Sequence, residues 1–208
     1  MWVTLSRSRP GNVARLISAC RDTAMTTPAA VVLDYDDPML EGYDTLDWPG
    51  GWVVMTGPRA PQSDLYNRVL DAYPNLDWYG ILADDVVPRT LNWDGRLIEA
   101  AGPDGLAAPS GGHHATIAPH FCLGGDLVRE MGWLSLPGLD RIYIDTAWND
   151  IAKARGVFRH VPDVIVEHLH FSNGKALFDS TYKKHNKPRD KAIYEAWRTT
   201  FQLEKETK

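Results

Sequence analysis

The run Trp78-Tyr79-Gly80-Ile81-Leu82 stops at two adjacent carboxylates, Asp84 and Asp85, with Pro88 and Arg89 just beyond. Apolar residues that break off at acids predict a buried strand with an acidic carboxyl end. In open α/β sheets, that end of a strand is where ligands bind. Side-by-side carboxylates repel each other unless a cation neutralises them, so a divalent metal suits the position. The dipeptide would equally suit a solvated loop, and the rest of the chain has to decide.

The pattern recurs upstream. Trp2-Val3-Thr4-Leu5 predicts a strand that breaks into Ser6-Arg7-Ser8-Arg9-Pro10, a polar and cationic turn. Asn12 stands where it can cap a helix through Val13, Leu16, Ile17 and Cys20. Ala29 to Leu33 is continuously apolar and ends at Asp34, as a parallel central strand would. Trp52 to Met55 predicts a third strand, followed by Arg59, and Ser63 to Tyr73 has helical spacing. Strands alternating with helices make the first ~90 residues an α/β half-sheet.

Later signals are shorter. Leu106–Pro109 and Phe121–Leu123 predict strands around the loop holding His113 and His114, and Asp126 stands ready to cap a helix to Met131. Ile142-Tyr143-Ile144 reads as a strand ending in Asp145, followed by a helix from Thr146 to Arg155. Val164-Ile165-Val166 is the last expected strand, ending in Glu167-His168-Leu169-His170, and Lys175 to Lys208 is expected to be mostly helical.

The 208 residues suit one domain, with 1–90 as a nucleotide-binding half, 91–180 as an acceptor and metal half, and 181–208 as a C-terminal helix. No apolar run is long enough to span a bilayer, and two widely separated cysteines, Cys20 and Cys122, suit a cytoplasmic protein with free thiols. The net charge of −5 is unevenly spread: residues 1–140 hold nine Lys/Arg against eighteen Asp/Glu, whereas 141–208 hold thirteen against nine. The basic C-terminal third permits an anionic partner without demanding one.

Polar clusters thus fall at three expected strand ends: Asp84-Asp85, Asp145 and His168/His170. Carboxylate and imidazole together suit Mn2+ or Mg2+ when phosphate oxygens and water complete the shell. His113, His114 and His120 are the local zinc candidates, but neighbouring histidines in a glycine loop better suit a surface or a substrate contact. Trp93, Trp133 and Trp148 are candidate stacking surfaces, with core packing preferred for Trp133 and pocket-facing geometry for Trp148, one turn beyond Asp145. Arg7, Arg9 and Arg59 are candidates to pair with phosphate or base oxygens.

Together these motifs resemble the GT-A fold nucleotide-sugar glycosyltransferases, especially the large inverting family numbered two. The resemblance runs from Thr4 to about Tyr182 and implies a Rossmann-like three-layer α/β/α sandwich with a mixed, mostly parallel central sheet. It implies that Ser6, Arg7 and Arg9 form a nucleotide-binding turn and that Asp34 contacts the base. The family's Arg-Asn pair is reversed here as Asn67-Arg68, with Asn67 the implied nucleotide contact, and its acidic-x-acidic metal motif appears as Ala83-Asp84-Asp85. Only the last two positions carry over, Asp84 toward ribose or diphosphate and Asp85 as metal ligand.

The series Ala83-Asp84-Asp85-Val86, Pro88-Arg89-Thr90, Trp93-Asp94, Gly132-Trp133, Pro137-Gly138, Asp145, Trp148, Glu167-His168-x-His170, Gly174-Lys175, Asp179 and Tyr182 is more similar still to small phage-encoded glycosyltransferases, several of which decorate modified bases in DNA. That likeness implies Asp145 as catalytic base and His170, or failing it His168, as second metal ligand. The expectation is a Mn2+- or Mg2+-dependent inverting transfer from a UDP-sugar, with a hydroxymethylated pyrimidine of phage DNA as favoured acceptor, in the host cytoplasm. The alternatives are a glycan or cell-envelope glycosyltransferase and a nucleotide-binding module without turnover.

Overall fold

The computed structural model describes residues 1–23, 28–111, 117–178 and 187–206. His113, His114, Asp179 and Tyr182 lie outside them. In chain order the first half comprises β1 (Trp2–Leu5), α1 (Pro10–Asp22), β2 (Ala29–Asp34), α2 (Leu40–Asp44), β3 (Val53–Gly57), α3 (Gln62–Ala72) and β4 (Trp78–Ala83). The second half comprises β5 (Val86–Pro88), α4 (Trp93–Ala101), β6 (Leu106–Ser110), β7 (Phe121–Gly124), α5 (Gly125–Met131), α6 (Ile144–Arg155), β8 (Phe158–His168) and α7 (Lys187–Glu206).

The strands form one eight-stranded sheet in the order β3-β2-β1-β4-β7-β6-β8-β5. The first four are parallel, with β1 central between β2 and β4. β7 is antiparallel to both β4 and β6, β6 is parallel to β8, and β5 closes the edge antiparallel to β8. Successive residues of the central strands feed opposite faces, as the two-residue period requires. Val3, Val32 and Ile81 pack with Leu65 and Val69 of α3 and with Trp148 and Ile151 of α6. Trp2 and Leu82 pack on the other face with Leu16 of α1 and Trp93 and Leu97 of α4. The result is the expected three-layer mixed α/β sandwich. Gly80 is required where Trp2 crosses β4, because a Cβ there would lie 2.0 Å from the indole Cε3.

Several local expectations are corrected. Asn12 lies inside α1, whose first turn begins at Pro10, a residue preset for that position and needing no side-chain cap. Gly124, not Asp126, precedes the first turn of α5, and Asp126 instead pairs with Arg129. Residues 142–144 form no strand: Tyr143 takes a left-handed φ of 72° and α6 begins at once. β8 is far longer than Val164–Val166, because a register shift opposite Pro109/Ser110 absorbs Pro162, whose ring cannot donate to the ladder. Among the described residues the C-terminal helix begins only at Lys187, and no helix is long and apolar enough to cross a membrane.

Candidate active site

Because β1 has its sequence neighbour β2 on one side and β4 on the other, a crevice opens at their carboxyl ends, the usual ligand position in such sheets. Two connected cavities fill it. The first, about 380 Å³, is lined by Ser6, Arg7, Arg9, Asp34, Arg59 and Asp84 among others. The second, about 670 Å³, is lined by Asp84, Asp85, His120, Asp145, His168 and His170 among others. Arg9, Gln62, Asp84 and Arg141 border both, so one ligand can run from the first into the second.

The β1–α1 turn is organised by buried polar bonds. Ser6 Oγ donates to Asp84 Oδ2 at 2.7 Å and lies 2.9 Å from the Tyr43 hydroxyl, which in turn accepts from the Arg9 amide. Arg7 is held between Asp34 and Asp36 at 2.8 and 2.6 Å. Asp34 is buried, and its Oδ1 has no hydrogen-bond partner among the described residues. A buried carboxylate oxygen facing a cavity calls for a donor N–H. Ser8 adopts a left-handed φ of 59°, held by two bonds to the Asp37 carboxylate.

Asp84 and Asp85 are both buried, yet their environments differ. Arg9 spans them, 3.2 Å from Asp84 Oδ1 and 3.7 Å from Asp85 Oδ2. Burial raises the Asp84 pKa more than Arg9 lowers it, and the Asp85 charge adds to the rise. Burial also works against ionised Asp85, but His168, His120 and Arg9 outweigh it and hold that carboxyl at about 2. The two neighbouring carboxyls are thus pulled in opposite directions, Asp84 up and Asp85 down.

Antiparallel pairing of β5 with β8 sets Val86 opposite His168, and the Leu169 amide donates to the Asp85 carbonyl at 2.8 Å. This brings His168 Nε2 within 3.0 Å of Asp85 Oδ1, across 83 residues of sequence. His120 packs edge-on against His168 at 4.7 Å, and His170 follows at 5.2 Å. His170 turns its Nδ1 to the hydroxyl of Ser172 at 2.7 Å. Burial and the neighbouring His168 lower its pKa.

Donor chemistry tests the fit of a metal. Two ligands at right angles on an octahedral ion at ~2.1 Å stand about 3 Å apart, which matches the Asp85–His168 separation. Among the described residues no three His, Cys, Asp or Glu side chains gather closely enough to hold an ion by themselves. The pair thus fits an ion such as Mg2+ or Mn2+ that takes its other ligands from phosphate and water, and it does not fit structural zinc. Of the two expected histidines, His168 is the one in direct contact with Asp85 at 3.0 Å, and His170 packs edge-on against it.

Asp145 lies in the first turn of α6 and lines the second cavity. Its Oδ1 accepts from the Thr146 amide at 2.7 Å, as a carboxylate at a helix N-terminus is placed to do. Three other expectations are corrected. Trp148 is fully buried and donates its indole N–H to Leu134 O at 2.9 Å, so it packs in the core and does not face the cavity. Trp93 is also fully buried, 4.7 Å from Trp2, and cannot stack on a ligand. Asn67 is spent on the backbone of Leu134 and Ser135, away from both cavities. Trp133 packs in the core against Trp148, 4.6 Å away. Arg59, by contrast, does line the first cavity.

Sequence reasoning missed Tyr66 and Arg141. Tyr66 lies in the apolar stripe of α3 yet also lines the second cavity, and burial together with Asp84 and Asp145 raises its pKa. A polar tip on a core-facing tyrosine was the only signal. Arg141 stands four residues before Asp145 and borders both cavities.

No family model matches the chain, and no curated protein matches it. Solved structures do. A mannosyltransferase, PcManGT from Pyrobaculum calidifontis in complex with GDP-Man and Mn2+, superposes with a TM-score of 0.65 at 8% identity, over 81% of this chain and 56% of that one. S. aureus TarS 1-349 gives 0.60 at 11% identity, over 79% and 58%. HddC from Yersinia pseudotuberculosis gives 0.54 at 10% identity, over 81% and 92%. The chain spans little more than half the length of the first two. At such identities the likeness is one of fold: the chain has the GT-A-type, Rossmann-like architecture found in that mannosyltransferase.

Proposed function

We propose that this protein is a metal-dependent inverting glycosyltransferase that moves a sugar from a nucleotide-sugar donor to an acceptor hydroxyl. The observation that carries the reading is the Asp85–His168 pair, 3.0 Å apart in the second cavity, which Asp145 also lines. The first cavity takes the nucleoside, with the unpartnered Asp34 Oδ1 accepting a base N–H and Arg59 at the rim. Asp85 and His168 would hold a divalent ion, which when bound would supply charge neutralisation to the departing diphosphate. Arg9 and Arg141, at the junction, add fixed positive charge on the same side.

The reaction is an in-line displacement at the anomeric carbon. Asp145 accepts the proton of the acceptor hydroxyl, its oxygen bonds to the anomeric carbon, and the bond from that carbon to the diphosphate oxygen breaks. The nucleoside diphosphate leaves with the electron pair. UDP is the donor nucleotide implied by the sequence resemblance, while the mannosyltransferase of like fold holds GDP-Man. For the acceptor, a hydroxymethylated pyrimidine in DNA is the favoured reading, supported by the phage-enzyme likeness and the basic residues 141–208. A base within a duplex must then flip out to reach the second cavity. Ala83, where the family has its first acid, keeps a nucleotide-binding role without turnover as the second reading.

One experiment separates these readings. The protein is incubated with Mn2+, UDP-sugars or GDP-mannose, and either DNA containing hydroxymethylcytosine or hydroxymethyluracil or a panel of glycans, and the products are weighed by mass spectrometry. A glycosylated nucleoside made by the wild type and lost in Asp145→Ala supports the full proposal. Transfer to glycans alone removes the DNA acceptor. Tight nucleotide binding with no turnover of any donor leaves the binding module.

A further inference from the structure

The chain between α5 and α6 is held by a carboxylate from a different part of the molecule. Asp190, in the first turn of α7, is fully buried. Its Oδ1 accepts from the Asp140 amide at 2.8 Å, and its Oδ2 accepts from the amides of Arg141 and Ile142 at 2.9 and 2.8 Å. Three successive N–H groups converge on the one carboxyl, and bonds from N–H to a carboxylate are stronger than neutral ones. From the other side, the first amides of α3, Gln62 and Ser63, donate to the carbonyls of Asp140 and Leu139. The loop is therefore gripped through its donors by α7 and through its acceptors by α3.

The gripped loop leads straight into the site. Tyr143 takes its left-handed turn while its ring stacks on Tyr194, one helical turn beyond Asp190, at 4.8 Å and 11°. Tyr194 then bonds through its hydroxyl to Asp150 of α6, and Arg198 stands 3.5 Å from the same carboxylate. Asp145 opens α6 two residues after Tyr143, and Arg141 sits within the gripped loop.

We infer that Asp190 is a positioning residue of the active site, fixing Arg141 and the start of α6 so that Asp145 meets the acceptor hydroxyl. The inference rests on the reading of Asp145 as the base. Asp190 touches neither cavity and acts only through the loop. A side chain that contacts no substrate influences turnover when a displacement of about 1 Å at the reacting groups costs about 10²-fold in rate.

The test begins with wild-type backbone hydrogen exchange, in which the amides of Asp140, Arg141 and Ile142 should be protected although they lie in a loop. Asp190→Asn keeps one acceptor oxygen and turns an NH2 toward the donors. Exchange at the three amides should then quicken at least ~10-fold, the scale of a lost bond to a charged group. kcat should fall about 10²-fold, with a smaller change in the donor KM. In an Asp145→Ala background the same change should lower the residual turnover by far less than about 10²-fold, since only the share carried by Arg141 is left to lose, whereas a general loss of structure would cost the same in both backgrounds. If Asp190→Asn does not fold, Asp190→Ser, which retains a short acceptor, carries the same readouts. Unprotected amides in the wild type, or a kcat unchanged once the loop is loosened, overturn the inference. A wild type that turns over no donor removes the catalytic half through Asp145, whereas the exchange data decide the grip by themselves.

Discussion

Replacing Arg9 by methionine removes the one guanidinium that spans Asp84 and Asp85, at 3.2 and 3.7 Å, while keeping most of its apolar stem. All three side chains are at least 88% buried, so solvent screening does little to soften the loss. Breaking a buried ionic cluster by removing one partner costs about 3–5 kcal/mol, because the remaining charges stay in place uncompensated. For a chain of this size that corresponds to a fall in Tm of very roughly 6–20 °C without metal. The pH dependence comes from Asp84. Its pKa is already raised, chiefly by burial, and Arg9 is the largest opposing influence, so the substitution raises it further. A carboxyl whose folded value exceeds its unfolded one is penalised when ionised, and that penalty fades as pH falls toward the unfolded value. Urea unfolding at about pH 8 and about pH 5 should therefore show a larger loss at the higher pH. Added Mn2+ should recover part of the difference at pH 8 by putting a cation back between the carboxylates. A loss under about 1 kcal/mol, or one equal at both pH values, would refute the view of Arg9 as the internal counter-charge of this pair.

Trp148→Phe should cost about 1–3 kcal/mol, since it strands the buried Leu134 carbonyl and leaves part of the indole space empty, yet nucleotide binding should be unaltered; chemical denaturation beside a binding titration checks both. Cys20 and Cys122 are pushed up to about 12, mainly by burial, so they should resist alkylation in the folded protein at neutral pH and react at once in urea, as a thiol-counting reagent will read. Because burial favours the neutral thiol, that stabilisation should erode as pH climbs above about 9, where the unfolded chain ionises first.

Much of the first cavity was legible because its elements are local. An apolar run ending in acids identifies β4, and the cationic break after Leu5 identifies the first turn, each within about ten residues. What escaped depended on distant partners. Ile142-Tyr143-Ile144 has the composition of a strand, but the N–H of Ile142 is taken by Asp190, 48 residues away, and Tyr143 has turned left-handed. Trp148 stands one turn from Asp145, as its spacing requires, yet α6 runs from the cavity into the core and carries the indole beneath the loop at Leu134. Helical spacing fixes direction around an axis; depth along it belongs to the packing of the whole sheet. His168 was found as a type of residue, but its contact with Asp85 came from the pairing of β5, a strand too short for periodicity to detect.

That three-residue strand also sets how the protein can change. Asp85 and His168, the proposed metal ligands, are matched through the register of Val86 to Pro88 against Val166 to His168, and a slip of one residue on either side would turn His168 to the opposite face. Insertions or deletions close to these positions are therefore barred for reasons of chemistry, not stability. On the other flank of β8, the irregular step opposite Pro109 and Ser110 already tolerates a mismatch in length. Length variation among descendants of this chain should collect on the β6 side and leave the β5 side untouched, so that the ligand pair stays in register while its surroundings are rebuilt.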